Sequence, residues 1–137
     1  MIYLDSNALV KMIRDEREST KLITWLNQHP DDELVSSALV EVEVPRALRR
    51  NEPTILGSVT ATLGRISRID MDAAIRVTAG AYMDPNLRSL DAIHLATAEH
   101  LIDSGMRLTA FVSYDKRLAQ AAVEVGLTVV APGADGE

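Results

Sequence analysis

The chain has no cysteine, which excludes disulfide frameworks, thiolate nucleophiles and Cys-ligated zinc and leaves oxygen and imidazole as metal donors. Aromatic residues make up only 4%, so a core must be built from Leu, Val, Ile and Ala. Long apolar runs are missing as well. No stretch approaches the ~20 residues of a membrane-spanning helix, and the apolar start is broken by Asp5 and lacks the basic region of a signal peptide. These absences lead us to expect a cytoplasmic protein with no membrane attachment. Basic residues are in the minority, 14 Lys and Arg against 20 Asp and Glu for a net charge of −6, which at face value opposes a polyanionic partner.

What is present is a chain of 137 residues, 47% hydrophobic, suited to one globular domain with one core. Short apolar runs alternate with helical patterns. "IYL" (2–4), "LVS" (34–36), "RID" (68–70), "AFVS" (110–113) and "TVV" (128–130) read as strands, several of them apolar on both faces, as in a covered parallel sheet. Helical stretches fall at 7–14, 17–28, 38–50, 54–65, 72–80, 87–103 and 116–125, with turn signals such as "DPN" (84–86), "SG" (104–105) and "VG" (125–126) at their boundaries. The alternation predicts an α/β sandwich with a mostly parallel sheet, a single domain over 1–131 and a frayed tail at 132–137. Ligands of such sheets bind beyond the carboxyl ends of the strands, where Asp5 and Asp115 fall.

Most acidic residues lie in polar segments such as "RDERE" (14–18) and "PDDE" (30–33) and read as solvated surface. Asp91 does not. In "NLRSLDAIHLATAEHLI" (86–102), Leu87, Leu90, His94, Leu95, Ala98, Leu101 and Ile102 follow the spacing of a buried helix face, and Asp91 falls within it. A carboxylate there needs a cation, a hydrogen-bond network or a cleft edge. Asp5 and Asp115 each follow a strand and precede a helix, where aspartate also serves as an N-cap. Three carboxylates sharing one edge would repel one another unless a multivalent cation offset them. Glu41 and Glu43 lie about 200° apart on a helix, so only one can face the cleft, and periodicity does not choose between them. Pro45 should bend this helix or begin a second segment. His94 reads better as packed and hydrogen-bonded than as a metal ligand.

Four segments taken together, "YLDSNALVK", "SALVEVE", "SLDAIHLATA" and "FVSYDKRLAQAA", resemble PIN-domain nucleases, and more closely the VapC-type toxins of toxin–antitoxin pairs. The resemblance runs from residue 2 to about 130 and implies a PIN-like three-layer α/β/α sandwich. It would place the acidic constellation, catalytic and metal-holding, on Asp5, Glu43, Asp91 and Asp115. Glu43 is preferred to Glu41 because it stands six residues after Ser37. Supporting hydroxyls would fall on Ser6 and Ser113. On this reading Asp5 holds a metal and does little as a helix cap.

An all-oxygen donor set suits Mg²⁺ or Mn²⁺, and the implied reaction is endonucleolytic hydrolysis of phosphodiester bonds in structured RNA. Arg46, Arg49, Arg50, Lys116 and Arg117 are candidates for phosphate contacts, since binding needs only a local basic patch. The resemblance also implies a cognate antitoxin and a homodimer. Two rival readings are a phosphohydrolase using Asp5 as nucleophile, which would want an Asp where Asn7 stands, and an RNA-binding module that needs no metal.

Overall fold

The structure, a computed structural model, describes residues 1–51, 55 and 57–134, without the side chains of Arg50 and Asn51. The chain runs β1 (Ile2–Leu4), α1 (Ser6–Ile13), α2 (Ser19–Asn27), β2 (Leu34–Ser37), α3 (Val40–Asn51), α4 (Gly57–Leu63), β3 (Ser67–Ile69), α5 (Ala73–Ala81), α6 (Ser89–Asp103), β4 (Ala110–Val112), α7 (Lys116–Glu124) and β5 (Val129–Val130). Among the described residues the strands form one sheet in the order β3-β2-β1-β4-β5, and every pairing is parallel.

That order has a consequence for function. The chain leaves β1 toward one edge through β2 and β3, then returns to the other side of β1 for β4 and β5. The reversal opens a crevice beyond the carboxyl ends of β1 and β4.

Alternation along the strands divides the core into two layers. Ile2, Leu4 and Val112 turn to one face, against Leu9 of α1, Leu22 of α2, Val44 and Leu48 of α3 and Val59 of α4. Tyr3 pairs in register with Val35 and Phe111, and all three turn to the opposite face, against Leu95 and Leu101 of α6 and Leu118 and Ala122 of α7. Helix α5 packs outside on α6. The result is a three-layer α/β/α sandwich, and fully burying each large apolar side chain contributes about 1.5–3 kcal/mol relative to exposure.

The glycines of "SG" and "VG" end α6 and α7. Gly105 and Gly126 both take φ of 92°, open to glycine at little cost. Behind them Met106 N–H reaches Leu101 O at 3.0 Å and Leu127 N–H reaches Ala122 O at 3.0 Å, closing Schellman caps that send the chain back into the sheet.

Four expectations need correction. Pro45 does not begin a second segment, since α3 is assigned continuously through it; lacking an N–H, it leaves only the ladder bond to Glu41 O unmade. Leu90 and Ile102 are 48% and 40% exposed, because the buried face of α6 is narrower than the apolar spacing suggested. The segment "RDERE" is not merely solvated, for Lys11 Nζ binds Glu16 at 2.9 Å and Glu18 at 3.0 Å and sits 4.8 Å from the centre of the Tyr114 ring. Packing also continues past residue 131: Pro132 and Gly133 are buried, and Pro132 O accepts from Tyr114 Oη at 2.7 Å. Residues 135–137, like the start of the helix expected from 54, lie outside the described residues.

Candidate functional site

Each carboxylate at the crevice is placed by a strand end or a helix start. Asp5 follows β1 directly and is the N-cap of α1 in extended conformation, its Oδ1 accepting from Ala8 N–H at 2.9 Å. The expectation that Asp5 caps little is therefore wrong. The other oxygen, Oδ2, accepts from Ser113 Oγ at 2.7 Å. Ser113 stands just beyond β4 and is buried, and its Oγ also accepts from Asp115 N–H at 3.2 Å. One hydroxyl thus ties the ends of β1 and β4 together. Asp115 caps α7, with Oδ1 accepting from Arg117 N–H at 2.9 Å and Leu118 N–H at 3.0 Å.

Asp91 lies in the first turn of α6 and is half-buried, at the cleft edge rather than inside the core. Burial is the largest influence raising its carboxyl above the ordinary aspartate range; the Asp115 carboxylate adds to this, as does Glu43, while His94 and Arg88 oppose it. Asp5 is 2% exposed, and burial likewise raises its carboxyl, against the pull of the His94 imidazole, Ser113 Oγ–H and Ala8 N–H, with Asp91 adding repulsion.

Glu43 and Glu41 part company. Glu43 Oε1 accepts from His94 Nε2 at 2.8 Å, which turns it toward α6 and the crevice. Glu41 faces away, half-exposed, with Arg68 Nη1 at 3.4 Å. Asp5, Glu43, Asp91 and Asp115 thus stand around one end of the sheet, Asp91 within electrostatic reach of the other three. Among the described residues no three acidic or histidine side chains close into a metal cage. The set still fits a hard cation, because its donors are oxygens and its carboxylates repel one another where a positive charge would relieve them.

Comparison with known proteins adds the decisive observation. The family model "PIN domain" matches residues 2–124. Ribonuclease VapC35 of Mycobacterium tuberculosis is 52% identical over 133 residues, covering 97% of this chain and 98% of that protein. The chain is a PIN-domain protein of the VapC type. Ribonuclease VapC46 of the same organism is 39% identical over 96% of this PIN domain and 97% of its own length. The crystal structure of FitAcB from Neisseria gonorrhoeae superposes with a TM-score of 0.68 at 20% identity, covering 98% of this chain and 99% of that one, a likeness of fold.

The remaining candidates of this PIN domain separate. Ser6 opens α1 and is half-buried beside Asp5. Arg46, Lys116 and Arg117 are exposed, and among the described residues they make no ion pair. Arg46 stands three residues after Glu43, on the same side of α3. Arg49 stands six after it, turned away, and lines an outer groove of about 470 Å³ with Glu41, Pro45 and Arg68. The Arg50 side chain lies outside the described residues.

Sequence reasoning missed Tyr3. Its Oη lies 2.7 Å from His94 Nδ1 with both residues buried. The signal was available, because a phenol in a strand covered on both faces must find a partner for its hydroxyl. Among the described residues no helix is long and apolar enough to cross a membrane.

Proposed function

We propose that this VapC-type PIN domain is a divalent-metal-dependent endoribonuclease that hydrolyses phosphodiester bonds in structured RNA and is restrained in its cell by a cognate antitoxin. The observation that carries the reading is the 52% identity to Ribonuclease VapC35 across nearly the whole of both chains. The acidic end of the parallel sheet supports it.

Asp5, Glu43, Asp91 and Asp115 would hold Mg²⁺ or Mn²⁺. A bound ion supplies water of lowered pKa and charge to offset that building on the phosphoryl oxygens. The chain's own groups set the geometry. Asp5 keeps one orientation because Ala8 N–H and Ser113 Oγ–H each hold one of its oxygens, and a carboxylate oxygen with one such bond keeps acceptor capacity. Asp115 is held through Oδ1 by two backbone N–H groups, which leaves Oδ2 for water or the ion. Asp91, in the first turn of α6, completes the acidic edge, its carboxyl raised first by burial and then by the Asp115 and Glu43 carboxylates, a repulsion that a cation would offset. Donors that converge without closing a cage suit an ion that keeps part of its water shell, as Mg²⁺ does.

The negative net charge is compatible with an RNA substrate. Two divalent ions would offset four of the 20 acidic residues, and Arg46, Lys116 and Arg117 flank the crevice as phosphate contacts. The antitoxin would present an arginine, whose planar fork suits paired carboxylates. We further propose that the toxin works as a cytoplasmic homodimer.

The test is incubation of the purified chain with structured RNA in Mg²⁺, in EDTA, and in EDTA followed by excess Mn²⁺. Discrete cleavage in the first and third and none in the second is the expected result. Cleavage that persists in EDTA, or none under any condition, contradicts the proposal.

A further inference from the structure

The mechanism leaves two buried ionisable side chains, Tyr3 and His94, without a role. His94 is 1% exposed on the sheet-facing side of α6, three residues after Asp91, and both ring nitrogens are engaged. Nδ1 lies 2.7 Å from Tyr3 Oη and Nε2 lies 2.8 Å from Glu43 Oε1. Tyr3 is itself fixed, stacked on Phe111 with centroids 5.0 Å apart and planes 6° from parallel, and it meets His94 edge-on at 5.8 Å and 81°. A phenol, an imidazole and a carboxylate thus form a chain from the middle of the sheet to the crevice, joining β1, α6 and α3. Apolar side chains could fill the buried part without the desolvation cost, so the polar chain calls for an explanation beyond packing.

Proton bookkeeping gives the chain a direction. Burial pushes the Tyr3 hydroxyl well above its ordinary range, so it keeps its proton. With a neutral ring, Tyr3 O–H donates to Nδ1 and the ring proton sits on Nε2, facing Glu43. With a charged ring, both nitrogens carry protons and Nε2 still donates to Glu43. In either state Oε1 is the oxygen held, and Oε2 remains for the crevice.

We propose that His94 is a positioning residue for the divalent-ion site: its Nε2–H clamps Oε1 of Glu43, and Tyr3 Oη fixes the ring tautomer that makes the clamp. The clamp takes from Glu43 the rotamer freedom it would otherwise lose on meeting an ion. Because Asp91 and His94 stand one turn apart on α6, one helix supplies an acidic ligand and orients a second. The inference rests on the reading of Glu43 as an ion-holding residue.

The test is calorimetric titration of the RNA-free chain with Mn²⁺, with thermal melts in EDTA alongside to establish that each variant folds. His94→Leu is expected to weaken Mn²⁺ binding by about 10-fold or more, the loss usual for a group that orients a metal ligand. His94→Gln, which keeps an N–H donor, should recover part of it. Glu43→Gln combined with His94→Leu should bind no more weakly than Glu43→Gln alone, since the clamp has then lost its object. Tyr3→Phe, which keeps the ring and its stacking, should show a smaller loss of the same sign and serves as the deciding variant should His94→Leu fail to melt cooperatively. Wild-type affinity in folded His94→Leu, or in Tyr3→Phe where that variant decides, overturns the clamp. So does a double variant whose loss is the product of the two single losses. Wild-type protein that binds no Mn²⁺ overturns the ion-site reading, and the clamp with it.

Discussion

Replacing Ser113 by alanine removes one hydroxyl from beneath the crevice. That hydroxyl donates to Asp5 Oδ2 at 2.7 Å and accepts from Asp115 N–H at 3.2 Å. The first bond dominates, being short, buried and made to a carboxylate. A hydrogen bond to a charged group contributes about 1.5–3 kcal/mol, and a buried partner left without it bears the full desolvation cost. We take about 2 kcal/mol. At ~2.1 cal/mol/K of unfolding entropy per residue, a chain of 137 residues should lose about 7 °C in Tm. The loss carries a pH signature that a simple packing defect lacks. Burial raises the Asp5 carboxyl and the Ser113 hydroxyl pulls it back, so Ser113→Ala raises it further. Below the wild-type value both folds carry a neutral Asp5 and this part of the difference vanishes; above the variant's value it is fully present. Paired melts in EDTA at about pH 7.5 and about pH 4.5 should therefore show the Tm gap shrinking as Asp5 protonates. Ser113→Thr, which retains the hydroxyl, should recover most of the loss. An unchanged Tm at neutral pH, or a gap that does not vary with pH, refutes the reasoning.

Other outcomes follow from the same geometry. Asp5→Asn, Glu43→Gln, Asp91→Asn and Asp115→Asn should each lower metal-dependent RNase activity by ~10²-fold or more in a gel-based cleavage assay, while Glu41→Gln, paired with Arg68 on the outer side, should leave it within a few-fold. Because burial and the neighbouring carboxylates raise the Asp91 carboxyl, the unfolded chain ionises it more readily. Its charge therefore destabilises the metal-free fold at neutral pH, and the penalty falls as pH drops toward the raised value. Asp91→Asn should melt above wild type in EDTA, by less at about pH 4.5. It should also gain less than the ~1.4 kcal/mol that wild type draws from Mn²⁺ at tenfold saturation. Arg46→Gln should reduce the salt dependence of RNA binding by about one phosphate contact, whereas Arg49→Gln, in the outer groove, should not.

The sheet was legible because its strands are nearly uninterrupted apolar runs between turn signals. Ile2–Leu4 and Ala110–Val112 fall where the pattern put them, and parallel strands covered on both faces leave little else for such runs to become. Strand order was not legible, since it depends on which contacts form between distant segments. The convergence of Asp5 with Ser113 across 108 residues is a product of that order. Helical phase was the weaker guide. It could not choose between Glu41 and Glu43, because the choice is made by His94, 51 residues away. Asp5 shows a different limit. Sequence posed cap and metal holder as alternatives, yet a carboxylate has two oxygens, and one of them caps α1 through Ala8 N–H while the other meets Ser113.

The central claim is that the carboxyl end of this sheet holds a divalent ion among Asp5, Glu43, Asp91 and Asp115. Anomalous diffraction from crystals soaked in Mn²⁺ tests it most directly. The account predicts a peak in the crevice beyond β1 and β4, bordered by the Asp5, Glu43, Asp91 and Asp115 carboxylates and absent from Asp5→Asn crystals. A crevice without a peak at saturating Mn²⁺, or an ion bound elsewhere while RNA cleavage remains intact, would contradict it.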